Sequence, residues 1–332
     1  MLSKATVVGV DTKVIGEGVG FLSSVGRVQL RYDRKEPDAP ETVVVKIEPE
    51  KETFREIGDE FHAFEREIRF YREVATQVPI RLPRIYGTLM DPPDYAIVME
   101  DLSFCTPGDQ LLGMHTDRVI AATRVMAHIQ ARFWNNSATE SLSWMPLTNA
   151  FGDRFQEHWP SFVTYAEERI SPAAMTIGAQ VGTALEWLEA EMHRAPPTVV
   201  HNDLRADNLL FGEPDTDEAV FIVDWQLATR SMGAFDVARL VGGSELPAER
   251  SGHQFEVLRA WHDKLLENGV TDYSWEDAVH HFRVGALAML EIPVAFHEAA
   301  LSQGGRGIEL IDLITRRSFA SALETDAASI LP

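Results

Sequence analysis

The sequence predicts an α+β protein in two lobes: a small antiparallel-sheet lobe with one helix over residues 1–101, and a larger, mainly helical lobe over residues 102–332. Three observations carry this. At 332 residues the chain is too long for one ordinary core, so two packed units are expected. Short β-branched runs dominate the first hundred residues, and long stretches of helical periodicity dominate the rest. All seven tryptophans, from Trp134 to Trp275, fall in the second part.

Taken in order, VGRVQLRY alternates Val28, Leu30 and Tyr32, and TVVVKIEP is short, β-branched and bounded by Pro40 and Pro49. EFHAFEREIRFYREVA then places Phe61, Phe64, Ile68, Tyr71 and Ala75 at spacings of three and four, which predicts one helix with a single apolar stripe. PRIYGTLMD and DYAIVMEDL follow as two more strands. After Leu102, TDRVIAATRVMAHIQARFWN predicts a helix capped by Thr116 or Asp117. AQVGTALEWLEAEMHR and GHQFEVLRAWHDKLLENG continue the pattern, the second stopping at Asn268-Gly269. Only PTVVH, NLLFGE and AVFIVDW interrupt as strands.

Composition excludes several classes. No run of 18 apolar residues occurs, and MLSKATVVGVDTK lacks the apolar centre of a signal peptide, so a soluble, cytoplasmic protein is expected. The single Cys105 forms no intramolecular disulfide and rules out a cysteine-rich metal site. A formal charge of −21 repels phosphate backbones and anionic lipids, so neither nucleic acid nor a membrane is expected as partner. Residues 1–101 hold 14 basic and 19 acidic groups, and residues 102–332 hold 16 and 32.

Three stretches carry chemistry. VIGEGVGF sets Gly16, Gly18 and Gly20 in a hairpin; their role is turn geometry or close backbone approach to a phosphate, and the strand that follows excludes a dinucleotide fold. In VVVK, alternation puts Val44 and Lys46 on one face of a strand. A lone lysine there needs an acidic partner. Glu65 and Glu67 both lie about 80° from the centre of the helical stripe, so periodicity does not choose between them. Strongest is VVHNDLRADNLLF, where a strand ending at His201 and another beginning at Asn208 bring Asp203 and Asn208 to one sheet edge. FIVDWQ adds Asp224 after another apolar strand. Two carboxylates and an amide oxygen are hard ligands suited to Mg²⁺, which takes its remaining ligands from water and substrate phosphates.

His201 to Asn208 resembles the catalytic loop of the small-molecule branch of the protein-kinase-like superfamily: aminoglycoside phosphotransferases, choline kinases and ecdysteroid-kinase-like proteins. FIVDWQLATRSMGAFDVARLV is similar to that branch's metal-binding Asp and the Asp-x-Ala helix after it, and IGEGVGF, VVVK, EIRFYRE, YAIVMEDL and HIQARFW follow in the family's order over roughly residues 14 to 245. The resemblance implies a bilobal protein-kinase-like fold with ATP as co-substrate and Mg²⁺ as cofactor. Asp203 would orient the acceptor hydroxyl and take its proton, Asn208 and Asp224 would hold Mg²⁺, and Arg205 would stabilise the transferring phosphoryl group. Gly16, Gly18, Gly20, Val44 and Lys46 would belong to the nucleotide site, with Glu67 as the lysine's partner and the backbone of Glu100 to Leu102 against adenine. His201 and Asp236 would support the loop from inside.

Departures narrow the reading. Trp225-Gln226 stands where protein kinases have Phe-Gly, and Asp224 to Asp236 is too short for a regulatory activation loop, so no protein substrate is expected. Asp207 is an added carboxylate, a solvated partner for Arg205 or an outer metal group. His253, His262, His280 and His281 lack zinc-helix spacing, LSQGGRG (residues 301–307) is a loop between helices, and EPDTDE (residues 213–218) is a hairpin turn. Ser231, Ser244 and Ser251 lack the context of a nucleophile. The expected activity is transfer of the ATP γ-phosphoryl group to a small-molecule hydroxyl. The HIQARFW and FIVDWQ matches and the tryptophans lean toward a lipophilic or neutral alcohol, while the acidic second lobe suits an aminoglycoside. A catalytically silent nucleotide-binding protein is the alternative from another class.

Overall fold

Five strands at the N-terminal end form one antiparallel sheet: β1 (Val7–Ile15), β2 (Ser24–Tyr32), β3 (Thr42–Ile47), β4 (Ile85–Asp91) and β5 (Asp94–Glu100), in the order β1-β2-β3-β5-β4. The computed structural model describes residues 5–15, 22–34, 36–148, 151–212, 219–246, 250 and 252–332. Gly16, Gly18, Gly20, residues 213–218 and Ser251, all singled out above, lie outside these. Registration of Lys46 opposite Ile97, and of Val44 opposite Met99, puts the four side chains on one face. Ile97 and Met99 are buried there in one cluster with Ile68 and Phe70, which joins the sheet to the main core.

The single helix expected between β3 and β4 is broken. Helix α1 (Glu52–Glu60) stops at Phe61, His62 takes a left-handed conformation (φ 50°), and α2 (Ala63–Arg69) restarts, running on through a widened turn at Phe70–Val74 and a tight one at Ala75–Gln77. The break has a packing reason. Phe54, Ile57 and Phe61 line a cavity, whereas Phe64, Ile68 and Phe70 are buried on the α2 side, and one straight helix does not serve both.

The C-terminal part is mainly helical: α3 (Thr116–Arg132), α4 (Ser137–Ser141), α5 (Gly152–Ala166), α6 (Pro172–Thr183), α7 (Leu185–Arg194), α8 (Ala234–Ser244), α9 (Gln254–Glu267), α10 (Trp275–Ala288), α11 (Glu291–Gln303) and α12 (Arg306–Glu324). Helix α3 begins at Thr116 itself with His115 as N-cap, and the Thr116 hydroxyl donates instead to Glu245 Oε1 (2.6 Å). AQVGTALEWLEAEMHR is likewise split at Ala184, just after a Gly-Thr pair of low helix propensity. Gly269 ends α9 at φ 94°, as expected. The stretch Trp275–Gln303 is long and apolar enough to cross a membrane by composition alone, but it is two helices with most of that surface buried in the core.

Short strands complete the frame: β6 (Thr106–Pro107), β7 (Pro197–Val200), β8 (Leu209–Phe211), β9 (Val220–Ile222) and β10 (Thr229–Met232). β7 pairs antiparallel with β10, while β8 pairs with β9 and β6. The tryptophans are core: Trp134, Trp225 and Trp261 are buried, and Trp144, Trp159, Trp187 and Trp275 pack against the same cluster.

The histidines are accounted for by local partners, and no group of three or more metal-ligating side chains occurs among the described residues. His262 Nε2 lies 3.0 Å from the Tyr273 carbonyl, and His281 Nδ1 lies 3.0 Å from the Tyr273 hydroxyl. Burial and neighbouring His280 pull the His281 pKa down to about 4. In the unfolded chain a histidine titrates near 6.5, so the unfolded state binds the extra proton between those values. Stability therefore falls as pH drops from about 6.5 to about 4, by about 2–3 kcal/mol after allowance for partial exposure. Urea unfolding at pH 7 and 4.5 checks this: His281→Gln shows a shallower loss than wild type, and equal losses would refute it.

Candidate active site

The two loops that carry the candidate residues face each other because their flanking strands pair. Residues 201–208 run from β7 to β8, and residues 223–228 run from β9 to β10. Two non-glycine residues adopt left-handed backbone here, Asn202 (φ 68°) and Asp224 (φ 69°), a conformation that Asn and Asp tolerate better than other side chains.

His201 is fully buried. Its Nε2 faces the Val223 carbonyl (2.9 Å), which only accepts, so that nitrogen carries the proton and Nδ1 accepts the Asp203 N–H (3.3 Å). Burial pulls its pKa down and keeps the ring neutral. Asp236, near the start of α8, accepts the His201 and Asn202 N–H groups (2.8 and 2.9 Å) and the Gln130 amide (3.2 Å). Burial pushes its carboxyl up to about 7 against those donors. These bonds fix the loop backbone before any ligand arrives.

Asp203 is held at both oxygens. Arg239 Nη2 donates to Oδ1 (2.8 Å), and Arg205 Nε (3.1 Å) and Asn208 Nδ2 (3.2 Å) donate to Oδ2. Burial works to raise its pKa, but the two guanidinium charges outweigh it and hold the carboxyl below the ordinary range. Asn208 Nδ2 also donates to the Asp203 carbonyl (2.9 Å), so the amide nitrogen is committed and the oxygen is the atom it offers a cation.

Lys46 Nζ donates to Glu67 Oε2 (2.7 Å) and Asp224 Oδ1 (2.8 Å). Burial pulls its pKa down, but the Asp224 and Glu67 charges more than offset this and the ammonium stays charged. Geometry thus selects Glu67, while Glu65 lies outside and pairs with Arg69 (3.6 Å). Phe70, one turn after Glu67, stacks on Trp225 (3.8 Å between centroids, 8° apart), which ties α2 to the Asp224 loop. Glu100 ends β5, its side chain turned to Arg81 and the Arg84 N–H, and Leu102 is buried with Cys105 and Phe221.

Arg205 bridges Asp203 and Asp207, donating to Asp207 Oδ2 at 2.5 Å. Asp207 is not solvated, contrary to expectation. Its side chain is 2% exposed and also accepts the Gln110 N–H (2.9 Å) and Arg306 Nη2 (3.2 Å). Sequence reasoning missed three supports here. Gln110 binds the Ala206 N–H (3.0 Å) through Oε1, and Gly108 passes so near that a Cβ would stand 2.3 Å from the Ala206 carbonyl oxygen. Arg239 alone had a readable signal, since it follows Asp236 by three residues and so shares its helix face. Ser244 accepts the Ala206 N–H and donates to Gln110, a structural role.

Beside Asp203 opens a cavity of about 210 Å³. Its polar end is Asn202, Asp203, Arg205, Asp224 and Arg239; its walls include Phe54, Ile57, Phe61, Phe151, Ile292 and Phe296. Phe61 meets Phe151 edge-on (5.8 Å), Phe151 meets Phe296 (5.2 Å), and Arg154 bonds Glu60 (2.7 Å), so α1 roofs the cavity against α5 and α11. None of the tryptophans lines it.

Comparison with known proteins places this geometry. The chain matches the phosphotransferase enzyme family over residues 24–270. Acyl-CoA dehydrogenase family member 10 of Mus musculus is 26% identical over 236 residues, 69% of this chain, and the match spans only 20% of that protein's length. Solved structures with the same fold include a microcompartment-associated aminopropanol kinase (TM-score 0.59, 12% identity, 97% of this chain and 94% of that one). Choline kinase from Cryptosporidium parvum Iowa II (0.57, 13%, 97% and 90%) and an aminoglycoside 2′-phosphotransferase-IIIa mutant with GDP (0.54, 12%, 96% and 94%) are similar too. The fold is therefore the bilobal, kinase-like one.

Proposed function

Because the chain belongs to the phosphotransferase enzyme family, we propose that it transfers the γ-phosphoryl group of Mg²⁺·ATP to a hydroxyl of a small, apolar, uncharged acceptor. Residues 1–101 would hold the nucleotide, and residues 102–332 would supply the catalytic loop and the acceptor pocket. The observation that carries the acceptor class is the cavity beside Asp203, whose walls are phenylalanine and aliphatic side chains.

Bound Mg²⁺·ATP supplies the phosphoryl group and neutralises its charge. The chain's own parts follow from the geometry. Asn208 Oδ1 and the Asp224 carboxylate are hard oxygens of the kind that would hold Mg²⁺, and Lys46, held charged by Glu67 and Asp224, would meet phosphate oxygens. Asp203 orients the acceptor hydroxyl and accepts its proton. Its depressed basicity suits a proton that leaves late, after the oxygen has begun to bond phosphorus. Arg205 stands beside it to offset negative charge on the group in transit.

A polycationic acceptor fits poorly. Among the described residues, the only carboxylates lining the cavity are Asp203 and Asp224, both already paired with cations, and Arg205 and Arg239 repel further positive charge. The chain's acidity lies elsewhere. At about 210 Å³ the cavity is smaller than the ~300–1,000 Å³ typical for drug-sized ligands, which favours a short or slender alcohol over an enclosed steroid nucleus.

Transfer from labelled Mg²⁺·ATP to medium-chain alcohols, choline and kanamycin tests the reading. Apolar hydroxyls are expected to win, and preference for kanamycin would overturn the acceptor class. Phe61→Ala is expected to raise the acceptor KM about tenfold while leaving the Mg²⁺·ATP Kd nearly unchanged. A nucleotide Kd that moves with it would show that Phe61 acts through the fold instead. Nucleotide binding without any turnover would favour the silent protein.

A further inference from the structure

Arg239 is 3% exposed, yet it touches the one carboxylate on which the proposed reaction turns. It sits on α8 three residues after Asp236, so a single helix face holds the catalytic-loop backbone through Asp236 and the Asp203 side chain through Arg239. Room for the guanidinium is built in: at Gly243, one turn further on, a Cβ would stand 3.0 Å from Arg239 Nη1 and 3.3 Å from Gln110 Nε2. The arrangement is costly. Among the described residues Arg239 Nε and Nη1 find no hydrogen-bond partner though both are buried, and stability alone would favour an apolar residue in their place.

We propose that Arg239 is a positioning residue that fixes the plane of the Asp203 carboxylate toward the acceptor cavity, with Gly243 as the gap that admits it. Unheld, an aspartate side chain turns freely about its last torsion, and its two oxygens exchange places. Here Oδ1 is pinned by Arg239 and Oδ2 by Arg205 and Asn208, so neither torsion nor exchange is open. Oδ1, which accepts only the Arg239 bond, keeps a lone pair for the hydroxyl proton, while both sites of Oδ2 are taken. Arg205 and Asn208 share one oxygen, so removing Arg239 frees the other and lets the plane rotate.

The role rests on the kinase reading, and the experiment separates the two. Mg²⁺·ATP turnover with water as acceptor, Mg²⁺·ATP Kd and melting temperature are measured for wild type, Arg239→Met, Arg239→Lys, Gly243→Ala, Asp203→Asn and the Arg239→Met/Asp203→Asn pair. Arg239→Met is expected to lower kcat about 10- to 100-fold, the scale of an ångström of misplacement, with the nucleotide Kd nearly unchanged. Arg239→Lys recovers part of it, since a point charge replaces a planar fork. Gly243→Ala lowers kcat in the same way with Arg239 intact. In the Asp203→Asn background, Arg239→Met has no further effect on kcat. Wild-type kcat in folded Arg239→Met, or loss of kcat, Kd and melting temperature together in Arg239→Lys and Gly243→Ala, overturns the inference. Absence of turnover in wild type with water and with every medium-chain alcohol tried instead refutes the kinase reading and removes the role with it.

Discussion

Asp203→Asn is expected to lower phosphoryl transfer by about 10²- to 10⁴-fold, the range that a positioned acid or base contributes. The substitution keeps the shape and one acceptor oxygen but removes the charge to which Arg239 and Arg205 both bond. Nucleotide affinity should barely move, because Lys46, Glu67 and Asp224 form a separate cluster held by its own pairs. Single-turnover kinetics with saturating Mg²⁺·ATP and a medium-chain alcohol measures the rate, and a melting curve confirms the fold. Turnover near the wild-type rate would show that the proton is taken elsewhere and that the loop's role has been misassigned.

Asp224 carries the second large effect, on metal dependence. With Mg²⁺ present, wild type is expected to be stabilised by ADP or ATP by about 2.7 kcal/mol at a hundredfold excess over Kd. In Asp224→Ala the Mg²⁺-dependent part of that shift disappears, while Lys46 keeps Glu67 as partner. Alanine at φ 69° adds backbone strain, so Asp224→Asn, whose side chain tolerates that conformation, isolates the lost charge. A thermal-shift titration with and without Mg²⁺ reads both variants. A Mg²⁺-dependent shift that survives in both would place the metal on other residues.

Legibility followed sequence distance. The loops of Asp203 and Asp224 could be read because each is a local pattern between apolar strands, and the strand in VGRVQLRY was carried by alternation in the same way. Glu67 could not be separated from Glu65 on a helical wheel, because its partner is Lys46 on a strand 21 residues away. The cavity beside Asp203 was invisible for the same reason: Phe54 with Phe61, Phe151, and Phe296 come from three separated places in the chain. Tryptophan content pointed to an aromatic pocket but measured core instead. Asp207 looked solvated because acidic residues in loops usually are; here Arg205, Arg306 and the Gln110 amide compensate its burial. The break at His62 was hidden by a stripe whose spacing suits one helix while its two halves face different neighbours.

The pairing of β7 with β10 and of β8 with β9 fastens the loops of Asp203 and Asp224 at both ends. A loop of n residues loses closure entropy as about (3/2)RT ln n, so two arcs this short retain little freedom to be lost when a ligand arrives. The ordering of these groups is therefore charged to folding, and binding energy from nucleotide and acceptor is not drained by arranging Asp203 and Asp224. Mutations that loosen the small ribbons, such as a glycine at Val199 or Ile222, should consequently surface as lost catalytic efficiency well before they surface as lost fold.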